Sequence, residues 1–369
     1  MYLEKLELKN FRNYHQLGVN FSPKLNIFFG HNAQGKTNLL EAVSLLGLGK
    51  SFRTKKEDEL IQWGKETCFL HGNFQTGEYE IKIELGIGNR EKRLKLDGQI
   101  IKNNELFGKI PIVTFAPDDL QLIKGGPQLR RDFIDLYLAL IEPKYRFIYY
   151  NYYKVLQQRN RLLKEGVRDL NELEVWNEQL IEKGTKVIKY RLYLINNVKS
   201  FIVEAQHNIS GTLEKLNIDY LGFKGVNLSF DFEEESIKEL FKNELKNVCR
   251  YEIERKITLI GPQRDDIKLS LDQGVDLRNF GSQGQQRTAA LALKIGLIEK
   301  IKESRGCYPI LLLDDVMSEF DDQRKKQLLK VLISSAQTFL TSTSFRDFPV
   351  EDEEAYFFEV KQGEVYFGR

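Results

Sequence analysis

Eight consecutive residues, Gly30-His31-Asn32-Ala33-Gln34-Gly35-Lys36-Thr37, fit the pattern Gly-x-x-x-x-Gly-Lys-(Ser/Thr), and no other feature of the chain narrows its fold as much. The pattern needs a buried strand, a glycine turn that aims backbone N–H groups at an anion, and a helix that starts on the lysine. The flanks meet that need. Leu25-Asn26-Ile27-Phe28-Phe29 reads as a buried strand, and Asn38-Leu39-Leu40-Glu41-Ala42-Val43-Ser44-Leu45-Leu46 has helical spacing. The loop therefore lies at a helix N-terminus, where backbone N–H groups and the helix dipole favour phosphate. In that setting Gly30, His31, Asn32, Ala33, Gln34, Gly35 and Asn38 surround phosphate oxygens. Lys36 reaches the β- and γ-phosphates, and the Thr37 hydroxyl holds Mg²⁺.

Composition sets the outer limits. At 369 residues, 41% hydrophobic and 29% charged, the chain has the make-up of a globular protein of two or three domains. A net charge of +2 means that any nucleic-acid surface must come from local clustering of cations. Cys68, Cys249 and Cys307 are odd in number, far apart and without metal-ligand spacing, which suits a reducing compartment. Met1-Tyr2-Leu3-Glu4-Lys5-Leu6-Glu7 is charged where a signal peptide is apolar, and no apolar run approaches the ~18 residues of a membrane span. The expectation is a cytoplasmic protein without a membrane partner.

Three stretches differ in texture. Residues 1–118 are strand-rich: Met1 to Lys9 and Gly77 to Gly88 alternate, Arg93 to Gly98 reads as a hairpin arm, and Lys109 to Phe115 as a buried strand. Residues 119–255 read as a mostly helical lobe, with no proline between Pro143 and Pro262. Residues 256–369 return to alternating strand and helix, with Tyr308-Pro309-Ile310-Leu311-Leu312-Leu313 as a buried parallel strand and Gln337 to Ser342 as its neighbour. The fold class expected is α/β: one phosphate-loop domain, a mixed sheet with helices, split by a helical insertion.

The strand 308–313 runs into Asp314 and Asp315. In phosphate-loop proteins the first such carboxylate enters the Mg²⁺ shell, so Asp314 joins Thr37 as a metal-site residue. Asp315 is then placed to polarise the attacking water, making Asp315 and Lys36 the candidate catalytic residues.

Phe280-Gly281-Ser282-Gln283-Gly284-Gln285-Gln286-Arg287 precedes a helical stretch and offers a second anion site through Ser282, Gln283 and Gly284. It resembles the signature of ABC-type ATPases, which closes over the γ-phosphate of ATP held by a second subunit. Ser318-Glu319-Phe320-Asp321 stands where those proteins have the loop that crosses to the partner. Two departures matter. Thr341-Ser342-Thr343 replaces the switch histidine, and Phe115-Ala116-Pro117-Asp118-Asp119 occupies the place of the expected glutamine. Slow hydrolysis follows, a weak ATPase used as a switch, with Thr or Ser hydroxyls orienting the γ-phosphate.

Within that class the opening Leu6-Glu7-Leu8-Lys9-Asn10-Phe11-Arg12-Asn13-Tyr14 looks like SMC-related repair ATPases. Three more segments resemble the RecF family of bacterial recombination-repair proteins. One is Pro117-Asp118-Asp119-Leu120-Gln121-Leu122-Ile123-Lys124-Gly125-Gly126-Pro127-Gln128-Leu129-Arg130-Arg131-Asp132-Phe133-Ile134-Asp135. Another is Gly261-Pro262-Gln263-Arg264-Asp265-Asp266. The third is Leu312-Leu313-Asp314-Asp315-Val316-Met317-Ser318-Glu319-Phe320-Asp321, with Phe320 where that family has Leu. The resemblance implies an SMC-like ABC-type ATPase head with a short helical lobe, ATP and Mg²⁺ as cofactors, and an ATP-dependent homodimer. It further implies binding of duplex DNA near single-strand gaps, RecR and RecO as partners, recombinase loading, and a place in DNA replication, DNA damage and the SOS response.

Three clusters are candidates for phosphate contact: Lys50-Ser51-Phe52-Arg53-Thr54-Lys55-Lys56; Lys124 with Arg130 and Arg131; and the aromatic-basic stretch from Lys144 to Arg168. The tyrosines of that stretch have core spacing, and nothing resembles a base-reading helix, so contact is expected to be sequence-independent and salt-sensitive. The alternative functions are an ATP-hydrolysing subunit of a transport or nuclease complex. The first normally carries the missing histidine and glutamine. The second appends a metal-dependent domain, for which few residues follow Asp321.

Overall fold

The computed structural model describes all residues except 89–90, 168, 212–213, 317–335, 344–354 and 369. The loop expected at Ser318 to Asp321 and the end of the basic stretch at Arg168 lie outside the described residues. The chain forms two compact units, Met1–Asp118 with Ile301–Arg369, and Asp119–Lys300.

The first unit is built on two sheets. The strand Leu25–Phe29 lies at the centre of one, paired in parallel with Thr338–Ser342 on one side and Ala355–Lys361 on the other. Ile310–Leu313 and Ile112–Phe115 continue the parallel order beyond Thr338–Ser342, and Glu364–Phe367 closes the opposite edge as a hairpin. Inner strands of this kind are apolar on both faces, as Ile310–Leu313 is at every position. The second sheet is antiparallel, in the order Tyr14–Asn20, Tyr2–Phe11, Thr67–Thr76, Tyr79–Gly88, Glu91–Leu96 and Gln99–Ile101.

The helix Lys36–Leu48 touches strands of both sheets, which is why nearly all its positions are buried and not just one stripe. Gln337, also buried, ties the two sheets together. Its side chain accepts from Leu3 N–H at 2.7 Å and donates to the Leu3 and Ser22 carbonyls at 2.8 Å each. An unpaired buried amide would cost about 1–3 kcal/mol, and this one has three partners.

The second unit is mostly helical, as expected. Pro127–Ile141, Pro143–Glu165, the 41-residue Leu170–Ser210 and Glu234–Arg255 are its main helices. The sequence reading did not foresee its four-stranded sheet, ordered Val226–Leu228, Asn217–Gly222, Asp266–Leu271, Val275–Asp276. That sheet explains a second difference. The expected third stretch began at 256, yet residues 256–300 pack with the second unit, because Asp266–Leu271 pairs with Asn217–Gly222.

Candidate nucleotide site

Parallel order brings the C-terminal ends of three neighbouring strands together: Leu25–Phe29 leads into the loop 30–37, Ile310–Leu313 into Asp314, and Thr338–Ser342 lies between them. Ligands of open α/β sheets bind beyond such ends. The loop's backbone explains its glycines. Gly30 has φ +146, and a Cβ there would come within 2.4 Å of the Val360 carbonyl oxygen. Gly35 has φ +121, and a Cβ would lie 2.6 Å from the Asn13 amide nitrogen. Both positions combine left-handed backbone with no room, so only glycine fits. Ala33 also takes a positive φ, +64.

The loop is braced from the opening strands. Asn13 donates to the Gln34 carbonyl at 2.8 Å, and the Tyr14 hydroxyl donates to the Gly35 carbonyl at 3.0 Å. Asn38 donates to the Asn13 side chain at 2.8 Å, and Gln362 N–H donates to the Gln34 side chain at 2.7 Å. Asn13 and Tyr14, within the opening segment that carries the family resemblance, thus support the phosphate loop directly. His31, Asn32 and Ala33 face solvent.

Lys36 Nζ donates to the Gly30 and His31 carbonyls at 2.6 and 2.8 Å, which holds the ammonium at the loop's centre. Burial pushes its pKa below the ordinary lysine value, while Asp315 and Asp314 pull it back up. Thr37 Oγ1 donates to Asp314 Oδ1 at 2.8 Å. Residues 277 positions apart therefore present two oxygen ligands to one point, a donor set that suits hard, oxygen-seeking Mg²⁺. Burial raises the Asp314 carboxyl above its ordinary value, against the hydrogen bonds from Thr37 and Thr341 and the charge of Arg53.

Thr341 corrects one expectation. Its hydroxyl donates to Asp314 Oδ1 at 2.9 Å and accepts from Asp315 N–H at 2.8 Å. It positions the Asp314 carboxylate and the Asp315 backbone, so in this arrangement its hydroxyl is already engaged. Asp315 has φ +51, and that anchor holds its backbone in place.

One member of the first basic cluster, Arg53, has a place beside the nucleotide site. Glu41, fully buried, takes a bidentate pair from Arg12 at 2.9 and 2.8 Å, and Arg53 lies 3.6 Å from it. Arg53 donates to the Asn38 side chain at 2.7 Å. Lys56 pairs with Glu59, and Lys92 with Glu57. Arg53 thus belongs to the rim of the nucleotide site. Its proximity to Asp314 was invisible in the sequence, where it stood only among other cations.

In the second unit Ser282 begins the helix Gln283–Arg305. Ser282 N–H donates to the Gln285 side chain at 2.9 Å and Gln285 N–H donates to Ser282 Oγ at 3.2 Å, a reciprocal cap. Ser282 and Gln283 are exposed and Gly284 is half-buried. Asp119, in the place of the expected glutamine, pairs at 2.5 Å with Lys294, a buried residue of that same helix.

The two remaining hallmark segments meet in the interior of this unit. Arg130 forms a bidentate pair with Asp266 at 2.7 and 2.9 Å and also donates to the Leu122 and Gly125 carbonyls. Arg131 donates to the Asp265 carbonyl. Arg191 forms a bidentate pair with Asp135 at 2.8 Å to each oxygen and donates to the Pro262 carbonyl at 2.7 Å. Arg159 donates to Asn177, Thr258 and Glu252. Arg130 and Arg159 are buried in ion pairs and so are not available to DNA phosphates, while Arg131 is half-buried. The charge of Arg130 and Arg159 was legible in the sequence, and their burial was not.

No helix among the described residues is long and apolar enough to cross a membrane. The description "RecF/RecN/SMC N terminal domain" matches residues 2–364. Two similar relatives, both described as DNA replication and repair protein RecF, come from Halothermothrix orenii and Natranaerobius thermophilus. The first is 41% identical, covering 94% of this chain and 93% of its own. The second is 43% identical, covering 94% and 92%. A solved structure of the recombination mediator protein RecF-ATP in the RecFOR pathway matches with a TM-score of 0.89 and 39% identity over 99% of each chain. An Smc head bound to the C-terminal winged-helix domain of ScpA shares the fold at a TM-score of 0.59 and 15% identity, covering 100% of this chain and 97% of that one.

Proposed function

Because this chain belongs to the RecF family of the RecF/RecN/SMC proteins, we propose that it is an ATP-gated DNA-binding protein of recombinational repair and replication restart. The observation that supports this most is the convergence of Lys36, Thr37, Asp314 and Asp315 around a loop where only glycine fits at residues 30 and 35. Those residues suit ATP with Mg²⁺. The loop N–H groups and Lys36 hold phosphates, Thr37 and Asp314 hold the ion, and Asp315 orients a water. Bound Mg²⁺ would supply charge neutralisation on the phosphate oxygens. Ser282, Gln283 and Gly284 then serve the ATP of a second copy, and hydrolysis at a slow rate releases the dimer. RecR and RecO are the partners in loading recombinase at gaps.

Duplex DNA docks along the helix Pro143–Glu165. No acidic residue occurs from 143 to 164, and Lys144, Phe147, Tyr150, Lys154, Arg161 and Lys164 are exposed on it. Lys154 sits 4.5 Å from the centre of the Tyr150 ring. The helix has 23 residues and is about 35 Å long, close to one turn of duplex. Toward its C-terminal end Arg161 is paired with Glu165, and Asn177 links Arg159 to Glu174. Contact therefore concentrates on Lys144 and Lys154.

The test is fluorescence anisotropy of a gapped duplex with ATP, with ADP and without nucleotide. Tight binding with ATP alone is expected. Changing Lys144 and Lys154 together to Glu should weaken binding roughly tenfold or more and flatten the slope of log K against log salt by about 2. Equal affinity in all three nucleotide states would overturn the gate, and an unchanged slope would overturn the assigned face.

A further inference from the structure

Phe280 is 77% exposed, the most exposed phenylalanine among the described residues, and it lies two positions before Ser282. An isolated exposed aromatic on a mobile tip would need no explanation. This one stands on an anchored backbone turn. The turn Leu277–Phe280 is anchored by Leu277, which is wholly buried. Asn279 N–H donates to the Asp276 side chain at 3.0 Å, and Gly281 N–H donates to the Leu277 carbonyl at 3.2 Å. The buried Gln286 side chain donates to that same carbonyl at 2.8 Å. A Cβ on Gly281 would come within 2.7 Å of the Leu277 carbonyl oxygen and 3.2 Å of Gln286, so the turn and the signature helix are in direct contact. Ser282 is in turn locked to Gln285, and Gln285 donates to Glu214 at 3.1 Å. The backbone that carries Phe280 is thus tied to the start of the signature helix, which places an exposed ring beside Ser282. Large aromatics that become buried at the centre of an interface contribute disproportionately to protein–protein contacts, and a backbone already fixed loses no further freedom on docking.

We propose that Phe280 is an anchor residue of the ATP-dependent contact between two copies of this chain, buried against the second copy when the signature reaches that copy's nucleotide. The inference rests on the dimer reading given above, which assigns Ser282 to a second copy's ATP. It adds an apolar contribution that persists whatever the salt concentration, alongside the salt-sensitive phosphate contact. Deleting the ring leaves the fold of each copy intact, since the side chain makes little contact within it.

The experiment is analytical ultracentrifugation of the full chain with Mg·ATP, comparing wild type with Phe280→Ala, Phe280→Leu and Ser282→Arg, alongside equilibrium binding of a fluorescent ATP analogue. Wild type should dimerise with ATP and Ser282→Arg should not. Phe280→Ala should weaken the dimer roughly 10- to 100-fold, Phe280→Leu should recover part of that loss, and analogue affinity of the monomer should stay within twofold of wild type. In Phe280→Trp the emission should shift to the blue on dimerisation. If wild type dimerises, Ser282→Arg does not, and Phe280→Ala behaves as wild type, the anchor is wrong and the dimer reading stands. If wild type stays monomeric with ATP, both fall.

Discussion

The phosphate loop of the first unit and the charge network of the second are made of similar residues used in opposite ways. In the loop, Lys36 and Asp314 are held by carbonyls and hydroxyls at the ends of strands, with exposed backbone beside them and glycines in left-handed conformation. In the network, Arg191 and Asp135 are buried in full contact with one another, and the Arg191 side chain also meets Tyr220 and the Pro262 carbonyl. The first arrangement keeps charge available to a ligand. The second consumes it internally. A motif locates both, and only partners and burial separate them. Breaking a buried pair leaves an uncompensated charge, whereas changing a ligand-facing lysine mainly changes affinity.

That contrast can be tested in order of expected size. Asp135→Ala strands Arg191 in the interior and should destabilise the protein by about 3–5 kcal/mol, read by urea unfolding. A loss under about 1 kcal/mol would mean the network is not structural. Lys36→Ala should lower affinity for a fluorescent ATP analogue by roughly 100-fold, from the loss of a charge-assisted phosphate contact worth about 3 kcal/mol. Its melting temperature without nucleotide should stay near that of wild type.

Asp265 sharpens the comparison through pH. Burial pushes its carboxyl up to about 6, against hydrogen bonds from Tyr220 and Phe223 that lower it. The unfolded chain titrates near 4, so between these values the folded protein binds the extra proton. The stability from this group is full below about pH 4 and is lost as pH rises through 6. The advantage of wild type over Asp265→Asn should therefore shrink by roughly 1–3 kcal/mol between about pH 4.5 and 7.5. Arg53→Ala should have the smallest effect. Arg53 is partly exposed, so stability should change by less than about 1 kcal/mol. Because its charge lowers the Asp314 pKa, the pH at which Mg·ATP affinity is half-maximal should move upward.

The first unit was legible in the sequence because two of its central strands are apolar runs that end in a glycine turn or in carboxylates, and the third is a short β-branched and aromatic run. Leu25–Phe29, Ile310–Leu313 and Thr338–Ser342 all fall where the patterning placed them. The small sheet of the second unit was not legible. Asn217–Gly222 and Asp266–Leu271 do alternate, but each is only 6 residues long, and Asp266 pairs with Leu221 across the intervening helix Glu234–Arg255. The burial of Arg130 and Arg159 in ion pairs was not legible for a related reason: charge is written in sequence, while a carboxylate partner 93 or more positions away is not. Arg130 finds Asp266 at a separation of 136 positions. Thr341 was noticed for the histidine it replaces, but its bond to Asp314 required the strand order to be known.

Hydrogen exchange of the full chain with and without Mg·ATP tests the contrast most directly. Nucleotide should slow exchange in residues 30–38 and around Asp314 and Thr341. Residues 130–135 and 261–266 should exchange slowly in both states, with no change on adding ATP. Rapid exchange across the network without ATP, or no added protection at the loop with ATP, would contradict the account.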